Sequence, residues 1–334
     1  MQTIPTYRIR RAEVIERPVP EISVVVPLFN ERENVPELYR RLRESLATIA
    51  CEIVLIDDGS SDSTPQLLDE LAANDPHVVA IHLSRNFGHQ AAVSAGLDHA
   101  TGQAVIVMDG DLQDPPEVLA QFIAKWREGH DVVYAVRTKR KEGLLKRAAY
   151  FSFYRLLRAI GDIDIPLDSG DFCLMDRKVV DVLRHLPERV RFVRGLRTFV
   201  GFQQVGLIYE RDARAAGTPK YTFRQLIGLA TDGIVNFSSY PLRAISYCGI
   251  VAMIMAMLAS GWLGVEASRT GAVPSGWSVL AAIVLFMGAT QLLSLGILGQ
   301  YICRIFIEVK GRPNYIIRDI RIGQPEIVPI RVAR

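Results

Sequence analysis

The chain is 334 residues long, carries a formal net charge of +3 and is 49 % hydrophobic. That length allows one large domain plus further elements, and so small a charge gives no support to a nucleic-acid partner. The four cysteines, Cys51, Cys173, Cys248 and Cys303, are far apart with no CxxC pair, which argues against a disulfide framework or a zinc site and suits a reducing compartment.

Residues 1–20 are polar and contain prolines, without the apolar stretch of a signal peptide; they read as an N-terminal arm. Residues 22–27, ISVVVP, form a short apolar run typical of a buried parallel strand. Residues 34–49 have helical spacing, with Leu38, Leu42, Leu46 and Ile49 on one face. A second strand is predicted at 53–56, and Thr64-Pro65 then signals a helix start, with Thr64 as cap. Further elements are a strand at 78–83, a helix at 90–99, a strand at 104–108, a helix from Asp114-Pro115-Pro116 to about 128, and a strand at 132–136. This βαβα order predicts an α/β fold with a doubly wound, mainly parallel sheet. Such sheets bind ligands beyond the carboxyl ends of their strands, which gathers loops 28–33, 57–63 and 109–114 at one site.

The hydrophobic excess lies after Pro241. Residues 244–265 and 277–303 are uncharged runs, each long enough to cross a bilayer as a helix. The link at 266–276 holds Arg269 balanced by Glu266, whereas Arg304, Lys310, Arg312, Arg318 and Arg321 follow the second run and Arg243 precedes the first. Positive residues stay inside, so an integral membrane protein is expected, with the large domain (21–220) and a basic tail (304–334) in the cytoplasm. Two stretches read as interfacial. Residues 143–160, GLLKRAAYFSFYRLLRAI, alternate basic, aromatic and leucine positions, as a helix in the headgroup layer does; packing on the domain core is the alternative. Residues 221–243 run into the first span as a juxtamembrane amphipathic segment.

The predicted loops are rich in carboxylates. Asp57-Asp58-Gly59-Ser60 ends the second strand and Asp109-Gly110-Asp111-Leu112-Gln113 ends the fourth. Two aspartates across a tight turn, with Gly110 expected to supply backbone freedom, offer hard oxygen ligands for Mg²⁺ or Mn²⁺ shared with a diphosphate. A DxD alone is common in turns. Neither a Walker A loop nor G-x-G-x-x-G occurs, which removes the main support for P-loop and dinucleotide sites.

Taken in order, VVVPLFNERENV (24–35), VLIDDGSSDST (54–64), LSRNFGHQAAVSAG (83–96) and VIVMDGDLQDPPE (105–117) resemble glycosyltransferase family 2, which has the GT-A fold. SGDFCLMDR (169–177), RAAGTPKYTF (214–223) and the two-helix end narrow the resemblance to its polyprenyl-phosphate glycosyltransferases. That group contains bactoprenol glucosyltransferases, undecaprenyl-phosphate aminoarabinose transferases and dolichol-phosphate mannose synthases. The resemblance implies roles at matching positions. Asp109, Asp111 and Gln113 are similar to the metal and diphosphate group. Pro27, Phe29, Asn30, Glu31 and Asp58 match the nucleotide pocket, and Arg85 lies in the loop beside the nucleotide-sugar. Asp171 holds the place of the proposed base, with Asp168 as alternative. Arg214 and Lys220 match basic residues near the donor and acceptor phosphates. Asp57 is expected to brace its strand end and the serines of 60–63 to form turns and a cap, while His82 and His89 read as structural.

The function implied is inverting sugar transfer, with UDP-glucose the first choice of donor and undecaprenyl phosphate the acceptor. Aminoarabinose or mannose transfer comes next. The resemblance also implies a homotetramer. A processive polysaccharide synthase would carry QxxRW, which is missing here. A degenerate membrane scaffold is the reading from another class, and the intact Asp109, Asp111 and Asp171 argue against it.

Overall fold

The computed structural model describes residues 19–137, 169–189, 191–209, 240–270 and 276–329. The helix expected at 143–160, most of the arm 1–20 and of the segment 221–243, and Asp168, Arg214 and Lys220 lie outside the described residues.

Four parallel strands form the centre: β1 (Ile22–Leu28), β2 (Cys51–Asp57), β3 (Val78–Leu83) and β4 (Ala104–Val107). Between and after them lie α1 (Val35–Ser45), α2 (Thr64–Asn74), α3 (His89–His99) and α4 (Leu119–Arg127). Every residue of β1 is buried, and alternate side chains serve opposite layers. Val24, Val26 and Leu28 pack with Leu38 and Leu42 of α1, Leu68 of α2 and Phe122 of α4. Val25 packs on the other side with Ala92 and Val93 of α3. Helices cover both faces, which is why the strands read as unbroken apolar runs.

Strand β6 (Ser169–Asp176) runs antiparallel between β4 and β5 (Val132–Arg137), and β7 (Gln204–Tyr209) lies parallel to β5 at one edge. Helices α5 (Arg177–His185) and α6 (Val193–Phe199) join the α3 layer through Val179, Leu183, Val193 and Leu196. The order β7-β5-β6-β4-β1-β2-β3-β8-β9 reverses at β1, whose carboxyl end therefore opens the crevice where ligands of doubly wound sheets bind.

Two long helices follow, α7 (Tyr240–Thr270) and α8 (Trp277–Lys310), each longer than the run expected from sequence. Within α8, Phe286–Lys310 is long and apolar enough to cross a membrane, with a mean hydropathy of 1.6 and none of its window buried. α7 carries a shorter apolar stretch, Tyr240–Met255.

The basic tail expected at 304–334 needs correction. Residues 304–310 continue α8, which stops at Gly311 in the left-handed region (φ 62). Strands β8 (Ile317–Ile322) and β9 (Gln324–Pro329) then extend the sheet antiparallel beyond β3. Burial of Ile317 and Ile320 against the α3 layer drives this return, so the sheet is not contained in 21–220. Two polar ties fix it. The Glu308 carboxylate accepts the Arg189 amide at 2.9 and 3.0 Å, and the buried Tyr315 hydroxyl donates to Asp98 at 2.7 Å.

Candidate active site

The loops after β1 and β2 are stitched together. Asn30, at φ 53, donates its amide to Ser60 Oγ at 2.9 Å and accepts the Ser61 amide on Oδ1 at 2.8 Å. Glu31 donates its amide to Thr64 Oγ1 at 3.0 Å, and its carboxylate accepts from Asn34 at 2.6 Å. Thr64 is thus not the helix cap expected from sequence: Ser63 holds that position, and the Thr64 hydroxyl serves the neighbouring loop. Pro27 is buried two residues past the last β1–β4 pair, and Phe29 is half-buried beside it.

The two aspartates ending β2 do different work. Asp57 accepts the Ser60 amide at 2.9 Å and faces His82 Nδ1 at 3.3 Å, bracing the strand end as expected. Asp58 accepts the amides of Phe87 and Gly88 at 2.7 and 2.9 Å. Burial pushes the Asp58 carboxyl up, and those two donors oppose it. Asp58 therefore braces the loop 84–88. Gly59 lies between (φ +67), where a Cβ would stand 2.4 Å from the Arg85 carbonyl carbon. In that loop the exposed Arg85 guanidinium lies 4.1 Å from the Phe87 ring centroid.

After β4 the chain passes Met108, whose amide reaches Val25 O at 3.1 Å, and enters Asp109–Asp114. Gly110 is needed for close approach rather than for backbone freedom. It is not among the positive-φ glycines, but a Cβ on it would meet Leu28 Cδ2 at 2.3 Å. Asp111, buried, accepts the Gln113 amide at 3.1 Å. Leu112 between them is held at φ 60, a conformation that costs a non-glycine residue about 1–2 kcal/mol and is overdetermined here by burial. Asp114 accepts the Tyr209 hydroxyl at 2.5 Å.

Asp171 arrives from the opposite direction. Because β6 is antiparallel to β4, its first residues lie at the carboxyl edge of the parallel strands. The register pairs Val107 with Cys173, and continuing it by two residues sets Asp109 opposite Asp171. His89, first residue of α3, sits between them, its Nε2 3.7 Å from Asp109 and 3.4 Å from Asp171. Gln90 donates to Asp171 Oδ2 at 3.2 Å and accepts the Val193 amide at 2.8 Å. Arg194 meets the other oxygen, Oδ1, at 3.4 Å. Sequence reasoning missed His89 and Arg194 as members of this site. The available signal for His89 was its place at a helix start directly after the loop that ends β3.

The charges follow this geometry. Removal from water pushes Asp109 up to about 6, His89 pulling against it and Asp114, Asp171 and Asp111 adding to it. Burial alone would lower His89, but its Asp171 hydrogen bond and both carboxylate charges raise it to about 9. Burial would also raise Asp171, yet Arg194 and His89 override it and hold the carboxyl far below the usual range. At neutral pH His89 is an imidazolium and Asp171 an anion.

Among the described residues no three His, Cys, Asp or Glu side chains form a closed metal cage. A Mg²⁺ or Mn²⁺ ion carried in with a diphosphate takes only one or two protein carboxylates; Asp109 and Asp111 would supply those, with Gln113 in the same turn.

Residues 23–184 match the family model described as Glycosyl transferase family 2. The chain is 46 % identical over 301 residues to the uncharacterized glycosyltransferase YkcC of Bacillus subtilis strain 168, covering 89 % of this chain and 93 % of the relative. It is 43 % identical over 308 residues to the SfII prophage-derived bactoprenol glucosyl transferase of Shigella flexneri, covering 91 % and 100 %. A prophage bactoprenol glucosyl transferase homolog of Escherichia coli K12 is 42 % identical, covering 90 % and 99 %. Sequence likeness over nearly the whole length and aspartates gathered at the carboxyl ends of the parallel strands lead to one assignment: the chain is a glycosyltransferase and belongs to glycosyl transferase family 2.

Proposed function

We propose that the protein transfers glucose from UDP-glucose to a polyprenyl phosphate, with inversion at the anomeric carbon, at a membrane surface. The likeness to relatives named bactoprenol glucosyl transferases supports the sugar and the lipid, and α8 supplies a helix of membrane-crossing length and composition. The observation that carries the chemistry is the opposition of Asp109 and Asp171 across His89 at the carboxyl edge of β4. Asp109 and Asp111, with Gln113, hold the diphosphate side; a bound divalent ion supplies neutralisation of the departing nucleoside diphosphate. Asp171 lies on the opposite side, where an in-line nucleophile enters. An acceptor phosphate oxygen forms the new bond to the anomeric carbon as the bond to the diphosphate breaks. A phosphate monoester has a second pKa of about 6, so at neutral pH the nucleophile is already largely ionised. Asp171 therefore orients the acceptor and its guanidinium partner rather than removing a proton.

The test uses purified protein in detergent with undecaprenyl phosphate, Mg²⁺ or Mn²⁺, and labelled nucleotide-sugars, including donors of aminoarabinose and mannose. Label is expected in the lipid phase from UDP-glucose, lost with EDTA and in Asp111→Ala. Label from another donor alone overturns the sugar assignment, and activity that survives EDTA overturns the metal. Absence of label from every donor, with no donor bound, supports the scaffold reading.

A further inference from the structure

We propose that Arg194 seats the acceptor's phosphate monoester, and that its ion pair with Asp171 occupies that seat until the phosphate arrives; this rests on the transferase reading above. Three observations carry it.

The first is direction. The two oxygens of Asp171 are divided: Oδ2 takes His89 and Gln90, and through His89 the chain of contacts leads to Asp109. Oδ1 takes Arg194. Arg194 thus meets the oxygen that His89 and Gln90 do not use. An inverting displacement brings its nucleophile from the side opposite the leaving group, and a cation bound to Asp171, across His89 from Asp109, is placed to meet it.

The second is the quality of the pair. Arg194 Nε and Nη2 both stand 3.4 Å from the same oxygen, whereas well-made charge-assisted bonds are about 2.7–2.9 Å long and use both carboxylate oxygens. The pair with Asp171 is long and uses one carboxylate oxygen. A phosphate offers the guanidinium fork two oxygens at once and twice the charge. Arg194 and Asp171 also keep 19 % and 15 % of their side-chain surface exposed, so the exchange needs no unfolding of α6.

The third is a second cation one turn further along α6. Arg197 is fully buried, and its Nε, Nη1 and Nη2 make no hydrogen bond. Its guanidinium lies 5.2 Å from the Tyr134 ring centroid, and it acts on Asp171 and Cys173 by charge. Leaving a buried charge without hydrogen bonds is expensive, and the ring face offsets only part of that cost. Arg194 and Arg197, one turn apart on α6, bring two guanidinium charges to the one Asp171 carboxylate. An incoming dianion removes this cationic surplus, and Arg197 contributes to it as a fixed charge that need not move.

Steady-state kinetics with UDP-glucose and undecaprenyl phosphate test the seat, together with direct donor binding. Arg194→Gln is expected to raise the acceptor KM at least about tenfold, while the donor dissociation constant stays within about twofold. Arg194→Lys keeps a charge beside Asp171 but lacks the fork, so it recovers part of the acceptor KM. An unchanged acceptor KM overturns the proposal. A donor affinity that falls in parallel assigns Arg194 to the donor diphosphate and also overturns it. If Arg194→Gln does not fold, Arg194→Lys alone decides: the seat requires an acceptor KM several-fold above wild type at unchanged donor affinity. A wild-type enzyme that labels no polyprenyl phosphate refutes the parent reading instead, so the two failures are distinct.

Discussion

Gly59→Ala probes how tightly the loop carrying Asp58 is held against the loop carrying Arg85. At φ +67 an alanine incurs left-handed strain of about 1–2 kcal/mol. Its Cβ would also stand 2.4, 2.6 and 2.8 Å from backbone atoms of Arg85 and Asn86. Backbone cannot swing aside as a side-chain tip does, so overpacking adds about 1–3 kcal/mol. The expected loss is therefore about 2–5 kcal/mol. Gly201 isolates the strain: it has φ +77 with nothing within 4 Å of its would-be Cβ, so Gly201→Ala should lose only about 1–2 kcal/mol. Chemical unfolding of the full chain in detergent, read by intrinsic fluorescence, gives the two losses under one condition. Donor binding gives a second reading, because pushing the loops apart stretches the Asp58 bonds to Phe87 and Gly88. Donor affinity should fall in Gly59→Ala and hold in Gly201→Ala. Equal losses in both variants, with equal donor affinity, refute the close-approach argument.

His82 has a carboxylate at each nitrogen, Asp57 at 3.3 Å and Asp69 at 3.1 Å. Burial would lower its pKa, but these partners and Asp319 raise it, so its contribution is fully present below the unfolded value of about 6.5 and is lost as pH rises through the folded value. Unfolding of His82→Gln and wild type across pH 5.5–9 should show a wild-type advantage on the order of 1–3 kcal/mol that shrinks with pH; an advantage that grows with pH contradicts the charge assignment. Asp171→Asn should lower turnover by up to about 100-fold, the cost of lost positioning, without altering the shape of the pH–rate profile between pH 6.5 and 8.5, since Arg194 and His89 keep Asp171 ionised well below that window. A variant whose rate approaches wild type near pH 8 shows that Asp171 is neither an obligatory base nor the orienting group described here.

The four parallel strands and their carboxyl-end loops were legible because burial on both faces leaves an apolar run that turn residues bracket. Asp109 and Asp111 were legible because they adjoin such a run. β8 was not. Its segment IRDIRI pairs with β3 through a register shift at His82/Leu83, and a bulge breaks the period of two on which strand reading depends. It buries Ile317 and Ile320, an odd spacing that looks like neither strand nor tail. Arg194 was hidden for another reason. It lies in RFVRGLR, a cation-rich stretch that reads as a solvated surface, and only the antiparallel entry of β6 brings Asp171 against it. His89 looked isolated because its partners are 20 and 82 residues away in sequence, on strands whose pairing the local pattern does not encode.

The return of the chain after α8 has a consequence for biogenesis. β3 has one neighbour in the amino-terminal portion, and its other side is covered by β8, which is made only after both long helices. During synthesis β3 is therefore an open edge, the kind of surface that templates misassembly. Closing it is a contact of high sequence separation and hence a late, slow step. The ties from Glu308 to Arg189 and from Tyr315 to Asp98 form at the same stage. Emergence of both long helices and completion of the sheet are thus linked in time: a ribosome stalled within α8 holds a nascent chain that has its carboxyl-end loops but not its last edge.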